Sequence, residues 1–216
     1  MKSRTEIILH LEKHPVIAII RMTDIDKIDS LVDALQLGGI DCIEVSMNTP
    51  DAIEIIDDLT HQDSDVVWGA GTVLDPETAR RVIEVGARFI VTPTLNLDVI
   101  QMAHRYDTVI IPGALTPTEI LTAWEHGADM VKIFPASLGG PSYIKSILGP
   151  LPYIKCVPTG GVSLENAAEF LKAGASCVAI GSSLINKHLI ADDNFKQITE
   201  NARELMDAVQ EIRNRI

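Results

Sequence analysis

A lysine and a glutamate each interrupt a short apolar segment of the sequence. Lys132 lies in residues 130–134 and Glu44 in residues 42–46, and each is flanked by apolar residues on both sides. Successive side chains of a strand point to opposite faces, so the flanking residues should face helices and the two charged residues should face the other way. We therefore expect Lys132 and Glu44 to share the interior of a barrel-like sheet.

Two kinds of role fit such a pair. Burial disfavours the ammonium form of a lysine, so part of it is a free amine that can attack a ketone. A neighbouring carboxylate can then move protons through the carbinolamine, the imine and the enamine. The alternative is a buried ion pair with a structural role, and the strand pattern alone leaves both open.

The ends of the other apolar segments carry further candidates. These are Arg21, Asn48, Thr72, Pro93, Phe134 and Thr159, together with Gly160-Gly161 and Gly181-Ser182. In barrels of parallel strands the active site lies at the carboxyl ends of the strands, where we expect all of these residues. Glycine-containing turns after the last two strands also match the place where such barrels bind phosphate through backbone amides.

The elements that must position these residues repeat along the chain. Short apolar segments alternate with longer amphipathic ones, and the strand candidates are residues 16–20, 42–46, 66–68, 89–91, 108–111, 130–134, 155–157 and 177–180. Helix-ending glycines recur at Gly39, Gly86, Gly127 and Gly174, spaced 47, 41 and 47 residues apart. The pattern predicts an α/β fold and fits a single (β/α)8 TIM barrel over residues 1–216 better than an open Rossmann-like sheet, although the pattern alone leaves that alternative open. Residues 1–14 should form a helix over one end of it. Another helix should have Pro76 at its first position behind Asp75, and a further one should open at Ser163.

Composition excludes several classes of partner. The formal net charge of -12 disfavours nucleic acid, and no apolar segment approaches the roughly 20 residues of a membrane helix. Residues 1–14 lack the features of a signal peptide. Three cysteines without metal-ligand spacing, Cys42, Cys156 and Cys177, suggest reduced thiols in a cytoplasmic protein. The six histidines are spread over helix and loop candidates with no paired metal-ligand spacing, so we assign no metal.

Several sequence motifs resemble one enzyme family. They include Ile43-Glu44-Val45, Gly69-Ala70-Gly71-Thr72, Val91-Thr92-Pro93, Lys132-Ile133-Phe134-Pro135 and Pro158-Thr159-Gly160-Gly161-Val162. In this order they are similar to the class I aldolases that act on 2-keto-3-deoxy-6-phosphogluconate and 4-hydroxy-2-oxoglutarate. The resemblance extends over nearly the whole chain.

The resemblance implies a role for each candidate. Lys132 would be the Schiff-base lysine and Glu44 the general acid and base, with Arg21 and Thr72 near the keto-acid end of the substrate. Gly160, Gly161, Gly181 and Ser182 would contact phosphate, while Asn48, Pro93, Phe134 and Thr159 would complete the substrate site. The implied products are pyruvate and glyceraldehyde 3-phosphate, or pyruvate and glyoxylate. The resemblance also implies that no cofactor is needed and that the assembly is a homotrimer.

One position departs from the phosphogluconate enzymes. Asn48 stands four residues after Glu44, where those enzymes usually have arginine. Asparagine cannot make a bidentate ion pair with a carboxylate, and at this position it is similar to the phosphogalactonate aldolases. The sequence thus leaves open which C4 epimer is the natural substrate.

Two other functions compete with the aldolase. A decarboxylase or epimerase of phosphorylated sugars would need other acid–base groups or a metal. A non-catalytic phosphosugar-binding protein could keep the glycine loops, but the presence of both Lys132 and Glu44 argues against it. Lys145 and Lys155 are rival amines, expected on a helix and at the start of a strand, away from the catalytic end.

Overall fold

Helices and parallel strands alternate along the chain in the computed structural model, which describes residues 3–62 and 65–213. The strands are β1 Val16–Ile20, β2 Cys42–Ser46, β3 Val67–Gly71, β4 Phe89–Val91, β5 Val109–Ile111, β6 Gly113–Ala114, β7 Val131–Ile133, β8 Cys156–Pro158 and β9 Val178–Ile180. The α-helices are α1 Arg4–Lys13, α2 Ile28–Leu37, α3 Ala52–Thr60, α4 Pro76–Glu84, α5 Leu97–Arg105, α6 Pro117–Glu125, α7 Gly140–Leu148, α8 Ala167–Lys172, α9 Lys187–Ala191 and α10 Phe195–Arg213.

The strands pair in two parallel sheets. One has the order β5-β4-β3-β2-β1-β9 and the other β6-β7-β8. Each predicted apolar segment overlaps a strand, and Pro112, which has no N–H to donate to a neighbour, separates β5 from the short strand β6. The α/β class with a curled parallel sheet is therefore confirmed.

Backbone hydrogen bonds connect the two sheets at both of their edges. At one edge the N–H of Asp129, two residues before β7, donates to the carbonyl of Ile110 in β5 at 3.1 Å. At the other edge the Ser176 N–H donates to the Cys156 carbonyl at 2.9 Å, and Thr159 bridges Ala179 in parallel. The β6-β7-β8 sheet therefore adjoins β5 and β9, the two edge strands of the larger sheet.

Apolar side chains form two separate clusters on the two faces of these strands. Ile43, Val45, Val131 and Ile133 belong to the larger cluster, which the helices cover. The smaller cluster fills the interior, with members including Ile17, Phe89, Val109, Met130 and Val157. The predicted alternation is therefore confirmed for the strands that carry Glu44 and Lys132.

Helix α1 closes the amino-terminal end of this interior. Ile7 and Leu11 of α1 pack into the interior cluster, and the Cys177 thiol donates to the Leu11 carbonyl at 3.0 Å. Arg4 also pairs with Asp129, directly before Met130 and β7, at 2.9 Å. The expected N-terminal helix is thus present over one end of the strands, although residues 1–2 lie outside the described part of the chain.

Local signals explain several helix boundaries. Asp75 accepts the Thr78 N–H at 2.6 Å, and Pro76 occupies the first helical position, as predicted. The four recurring glycines that follow helices all have positive φ angles, between 90° and 105°. The helix expected to open at Ser163 begins instead at Ala167, because the Asn166 side chain accepts the Ser163 N–H and forms a turn first.

Among the described residues, no helix combines the length and the apolarity that a membrane span requires.

Candidate active site

A cavity of about 610 Å³ opens at the carboxyl ends of the strands. Its lining contains every residue that the sequence analysis selected: Arg21, Glu44, Asn48, Thr72, Pro93, Lys132, Phe134, Thr159, Gly160, Gly161, Gly181 and Ser182. These residues come from seven different strand ends of the chain. The tertiary structure therefore brings them into one site.

Lys132 lies in the middle of β7, opposite Gly113 on one side and Val157 on the other. Its side chain is 5% exposed, and Nζ lies 5.0 Å from the centre of the Phe134 ring. Burial lowers the pKa of Lys132 below its usual range, the negative charge of Glu44 opposes this shift, and the positive charge of Arg21 adds to it. More of the lysine is consequently present as the nucleophilic free amine than at an exposed position.

Glu44 lies on β2 between Ile19 of β1 and Gly69 of β3, and it is 2% exposed. Burial raises the pKa of Glu44, and the charge of Lys132 lowers it by a smaller amount. Within the described residues, Oε2 of Glu44 has no hydrogen-bond partner. It can therefore exchange protons with a molecule in the cavity.

A glycine makes room for this carboxyl. A Cβ atom on Gly71, at the end of β3, would lie 2.4 Å from Oε1 of Glu44 and 2.8 Å from its Cδ. Both separations are shorter than non-bonded contacts allow. The sequence analysis noted Gly71 only as part of a motif, because the contact with Glu44 depends on how β2 and β3 pair.

Polar side chains form a second group beside the carboxyl. The hydroxyl groups of Ser46 and Thr72 lie 3.0 Å apart, and Ser46 Oγ donates to Oδ1 of Asn48 at 3.3 Å. Thr72 has a φ angle of 61°, which is unusual for a residue other than glycine, asparagine or aspartate. Ser46 was missed in the sequence analysis, although its position two residues after Glu44 places it on the same face of β2.

The loop after β8 packs closely against Ser137. Gly160 and Gly161 have φ angles of 79° and 87°, and a Cβ atom on Gly161 would lie 2.5 Å from Cβ of Ser137. The Ser137 N–H donates to the Gly160 carbonyl at 2.9 Å. Larger residues are therefore excluded here for both conformational and steric reasons.

Basic side chains outnumber acidic ones in the lining of the cavity, although the whole chain is acidic. Its lining includes Arg21, Lys132, Lys187 and His188, and Glu44 is the one carboxylate among the lining residues. A smaller cavity of about 400 Å³ shares Arg21, Asn48 and Lys187 with it. Lys187 and His188 carried no recognisable sequence signal, because they follow the last strand at the start of a short helix.

The rival amines and the thiols do not line this cavity. Lys145 belongs to α7, and Lys155, directly before β8, pairs with Glu12 at 3.0 Å. The three cysteines are free and buried, and burial raises the pKa of the Cys156 thiol to about 12. Reduced, unreactive core thiols were expected from the sequence.

One cluster outside the cavity could hold a metal ion. His10 and His14 lie within 4.8 Å of Asp41, counted between their ligating atoms. The sequence analysis assigned no metal because the histidines are spread along the chain, but His10 and His14 are four residues apart and lie on the same side at the end of a helix. Asp41 is far from both in sequence, so only the folded chain reveals the group.

Comparison with known proteins identifies the family. The family model for KDPG and KHG aldolase matches residues 7–201. The 2-dehydro-3-deoxy-phosphogluconate aldolase of Pseudomonas aeruginosa is 35% identical, over 92% of this chain and 90% of its own. The 2-dehydro-3-deoxy-6-phosphogalactonate aldolase of Escherichia coli is 36% identical, over 92% of this chain and 98% of its own.

A solved structure is also similar. It is the KDPG aldolase from Legionella pneumophila, with pyruvate captured at low pH as a covalent carbinolamine intermediate. Its TM-score to this chain is 0.86, at 30% sequence identity. The match covers 94% of this chain and 98% of that one. Together these findings define the protein as a lyase of the aldolase class. The chain belongs to the KDPG and KHG aldolase family.

Proposed function

We propose that this protein cleaves a 2-keto-3-deoxy-6-phospho sugar acid to pyruvate and glyceraldehyde 3-phosphate through a Schiff base on Lys132. It would cleave 4-hydroxy-2-oxoglutarate in the same way, to pyruvate and glyoxylate. The observation that carries the proposal is the presence of a buried lysine of lowered pKa and a buried glutamate of raised pKa in one cavity. The covalent carbinolamine in the Legionella relative supports it.

The reaction follows from these two groups. The free amine of Lys132 attacks the C2 ketone to give a carbinolamine, which accepts a proton from Glu44 and loses water to form a protonated imine. Glu44 accepts the proton of the C4 hydroxyl, the C3–C4 bond breaks, and its electrons move into the imine to give an enamine and an aldehyde. Protonation of C3 then forms the imine of pyruvate, and water releases pyruvate and restores the amine.

The remaining residues orient the two ends of the substrate. We assign Arg21 and Thr72 to the keto-acid end, and Pro93, Phe134 and Thr159 to the walls around the reacting carbons. Backbone groups at Gly160, Gly161, Gly181 and Ser182 would contact the phosphate, since glycine allows the closest approach of the main chain. The basic residues of the lining favour such an anionic substrate.

Asn48 is the residue that we assign to the choice of C4 epimer. It lies beside Ser46 and Thr72, so its amide is close to the catalytic end of the cavity. Asparagine at this position supports the phosphogalactonate epimer as the preferred substrate. Relatives named for each epimer match at nearly equal identity, so the assignment rests on this residue.

Three further proposals concern the whole molecule. The chain would form one domain with a closed (β/α)8 barrel, supported by the hydrogen bonds that join the two sheets at both edges. It would assemble as a homotrimer, as the family resemblance implies. It would act in the cytoplasm, which reduced cysteines support.

Reductive trapping tests the central proposal. The protein is incubated with pyruvate and borohydride, digested, and mapped by mass spectrometry. A pyruvyl adduct on Lys132 is expected, and Lys132→Arg should lose it while Lys145→Arg and Lys155→Arg retain it. An adduct confined to Lys145 or Lys155, or the absence of any adduct, would favour a non-catalytic phosphosugar-binding protein and overturn the assignment.

A further inference from the structure

Two histidines and an aspartate meet at the amino-terminal ends of the strands, opposite the candidate active site. His10 and His14 lie at the end of α1, and Asp41 directly precedes β2. Oδ2 of Asp41 is 3.1 Å from Nε2 of His10 and 2.9 Å from Nδ1 of His14. One carboxylate oxygen therefore faces a nitrogen atom of both imidazole rings.

The donor types and their spacing suit a transition-metal ion. Zinc binds imidazole nitrogen and carboxylate oxygen at about 2.0–2.2 Å in tetrahedral geometry, which places the ligand atoms about 3.3 Å apart. The three donor atoms lie within 4.8 Å of one another. The two imidazole rings are stacked 4.4 Å apart and nearly parallel, at 4°, so rotation of one ring about its Cβ–Cγ bond is needed to direct both nitrogens at one ion.

The surroundings orient the carboxylate and admit an ion. The Cys42 thiol donates to Oδ1 of Asp41 at 3.5 Å, which leaves Oδ2 turned toward the histidines. The side chains of His10, His14 and Asp41 are 16%, 29% and 24% exposed, so an ion can enter and keep water in a fourth position. The carboxylate of Asp41 supplies a negative charge that attracts a cation.

We propose that His10, His14 and Asp41 bind a divalent transition-metal ion of the zinc type. The bound ion would link the end of α1 to the start of β2. Ile7 and Leu11 of α1 pack onto the interior cluster at the amino-terminal ends of the strands. An ion at the carboxyl end of α1 therefore stabilises the packing of this helix against the strands. The ion is structural, since the cavity that contains Lys132 lies at the other ends of the strands. This inference does not depend on the proposed reaction.

Zinc titration of the chelator-treated, untagged protein tests the proposal. Calorimetry should give one Zn²⁺ per chain, and His14→Gln or Asp41→Asn should weaken that binding by more than about 100-fold. At zinc concentrations near 100 times Kd, the melting temperature of the wild type should rise by about 5–10 °C, and the variants should lose this shift. Saturating zinc should leave the aldol cleavage rate unchanged.

His61→Gln is the matched control. His61 also pairs with an aspartate, Asp57, at 3.3 Å, but the described residues place no third metal-ligating group beside them. This variant should bind zinc as the wild type does. Wild-type protein that binds no zinc, or His14→Gln that binds it equally well, overturns the proposal.

Cobalt spectroscopy on the wild type decides the question if a variant fails to fold. Co²⁺ in a four-coordinate site absorbs visible light far more strongly than the hexaaqua ion. The strong four-coordinate spectrum is expected, at one ion per chain. A spectrum identical to that of free Co²⁺ would show that the three residues form only a hydrogen-bonded group.

Discussion

Replacing Gly71 with alanine should disable catalysis while leaving the fold intact. The added Cβ would lie 2.4 Å from Oε1 of Glu44, and an ordinary contact begins near 3.4 Å, so the carboxyl must move by about 1 Å. The displaced atoms belong to the end of a side chain, so the cost to stability is small. A displacement of about 1 Å in a reacting group lowers the rate by ~10²-fold.

The assay is pyruvate release, measured through lactate dehydrogenase and NADH. Gly71→Ala should lower kcat by ~10²-fold, yet borohydride trapping of pyruvate on Lys132 should persist, because the lysine is untouched. Gly149→Ala is the matched control, since the nearest atom to its added Cβ is a carbonyl oxygen at 3.5 Å. It should retain the wild-type rate.

A double-mutant cycle tests whether Gly71 acts through Glu44. Glu44→Gln alone should slow turnover by ~10²-fold. If the alanine acts by displacing the carboxyl, the double variant should lose ~10²-fold in total and not ~10⁴-fold. A fully additive loss, or a wild-type kcat in folded Gly71→Ala, would refute the reasoning that places Glu44 in the proton transfers.

Four more outcomes are expected. Because burial lowers the pKa of Lys132, the rate of pyruvate trapping should rise with pH and level off below pH 10.5, the ordinary value; a rise that continues past it would contradict the burial effect. Because burial raises the pKa of Glu44, the folded protein binds more protons than the unfolded chain above pH 4.5, and its stability falls as pH rises through that window. Glu44→Gln cannot ionise at this position, so its melting temperature should exceed that of the wild type at pH 8 and approach it near pH 4. A constant difference between the two melting temperatures at all pH values would exclude the effect. Gly161→Ala should raise KM for the phosphorylated substrate by ~10-fold or more but spare 4-hydroxy-2-oxoglutarate, and equal losses on both would remove this loop from phosphate binding. Asn48→Arg should shift the ratio of kcat/KM toward the gluconate epimer by ~10-fold or more, and an unchanged ratio in side-by-side assays would show that residue 48 does not choose the epimer.

Most of the fold and the main site candidates were predictable because they depend on local patterns. Alternation along a strand gave Lys132 and Glu44 their direction, and both do face the cavity, away from the helix-covered cluster that contains Val131 and Ile133. Strand and helix segments repeat at regular intervals, and positive-φ glycines end helices where expected. Errors occurred where a side chain competes locally, as at Ser163, whose N–H the Asn166 side chain accepts before α8 begins.

The amino-acid sequence by itself determined which residues are directed into the interior and at which end of the strands they gather. Both properties follow from the two-residue repeat of a strand and the parallel order of the elements. Only the tertiary structure decided the close contacts. These are the contact between the carboxyl of Glu44 and Gly71, and the contacts of Asp41 with His10 and His14. These contacts join residues far apart in sequence, and their distances depend on the register between strands and the placement of α1. Burial, which sets the pKa values of Lys132 and Glu44, likewise exists only once the surrounding chain has packed around them.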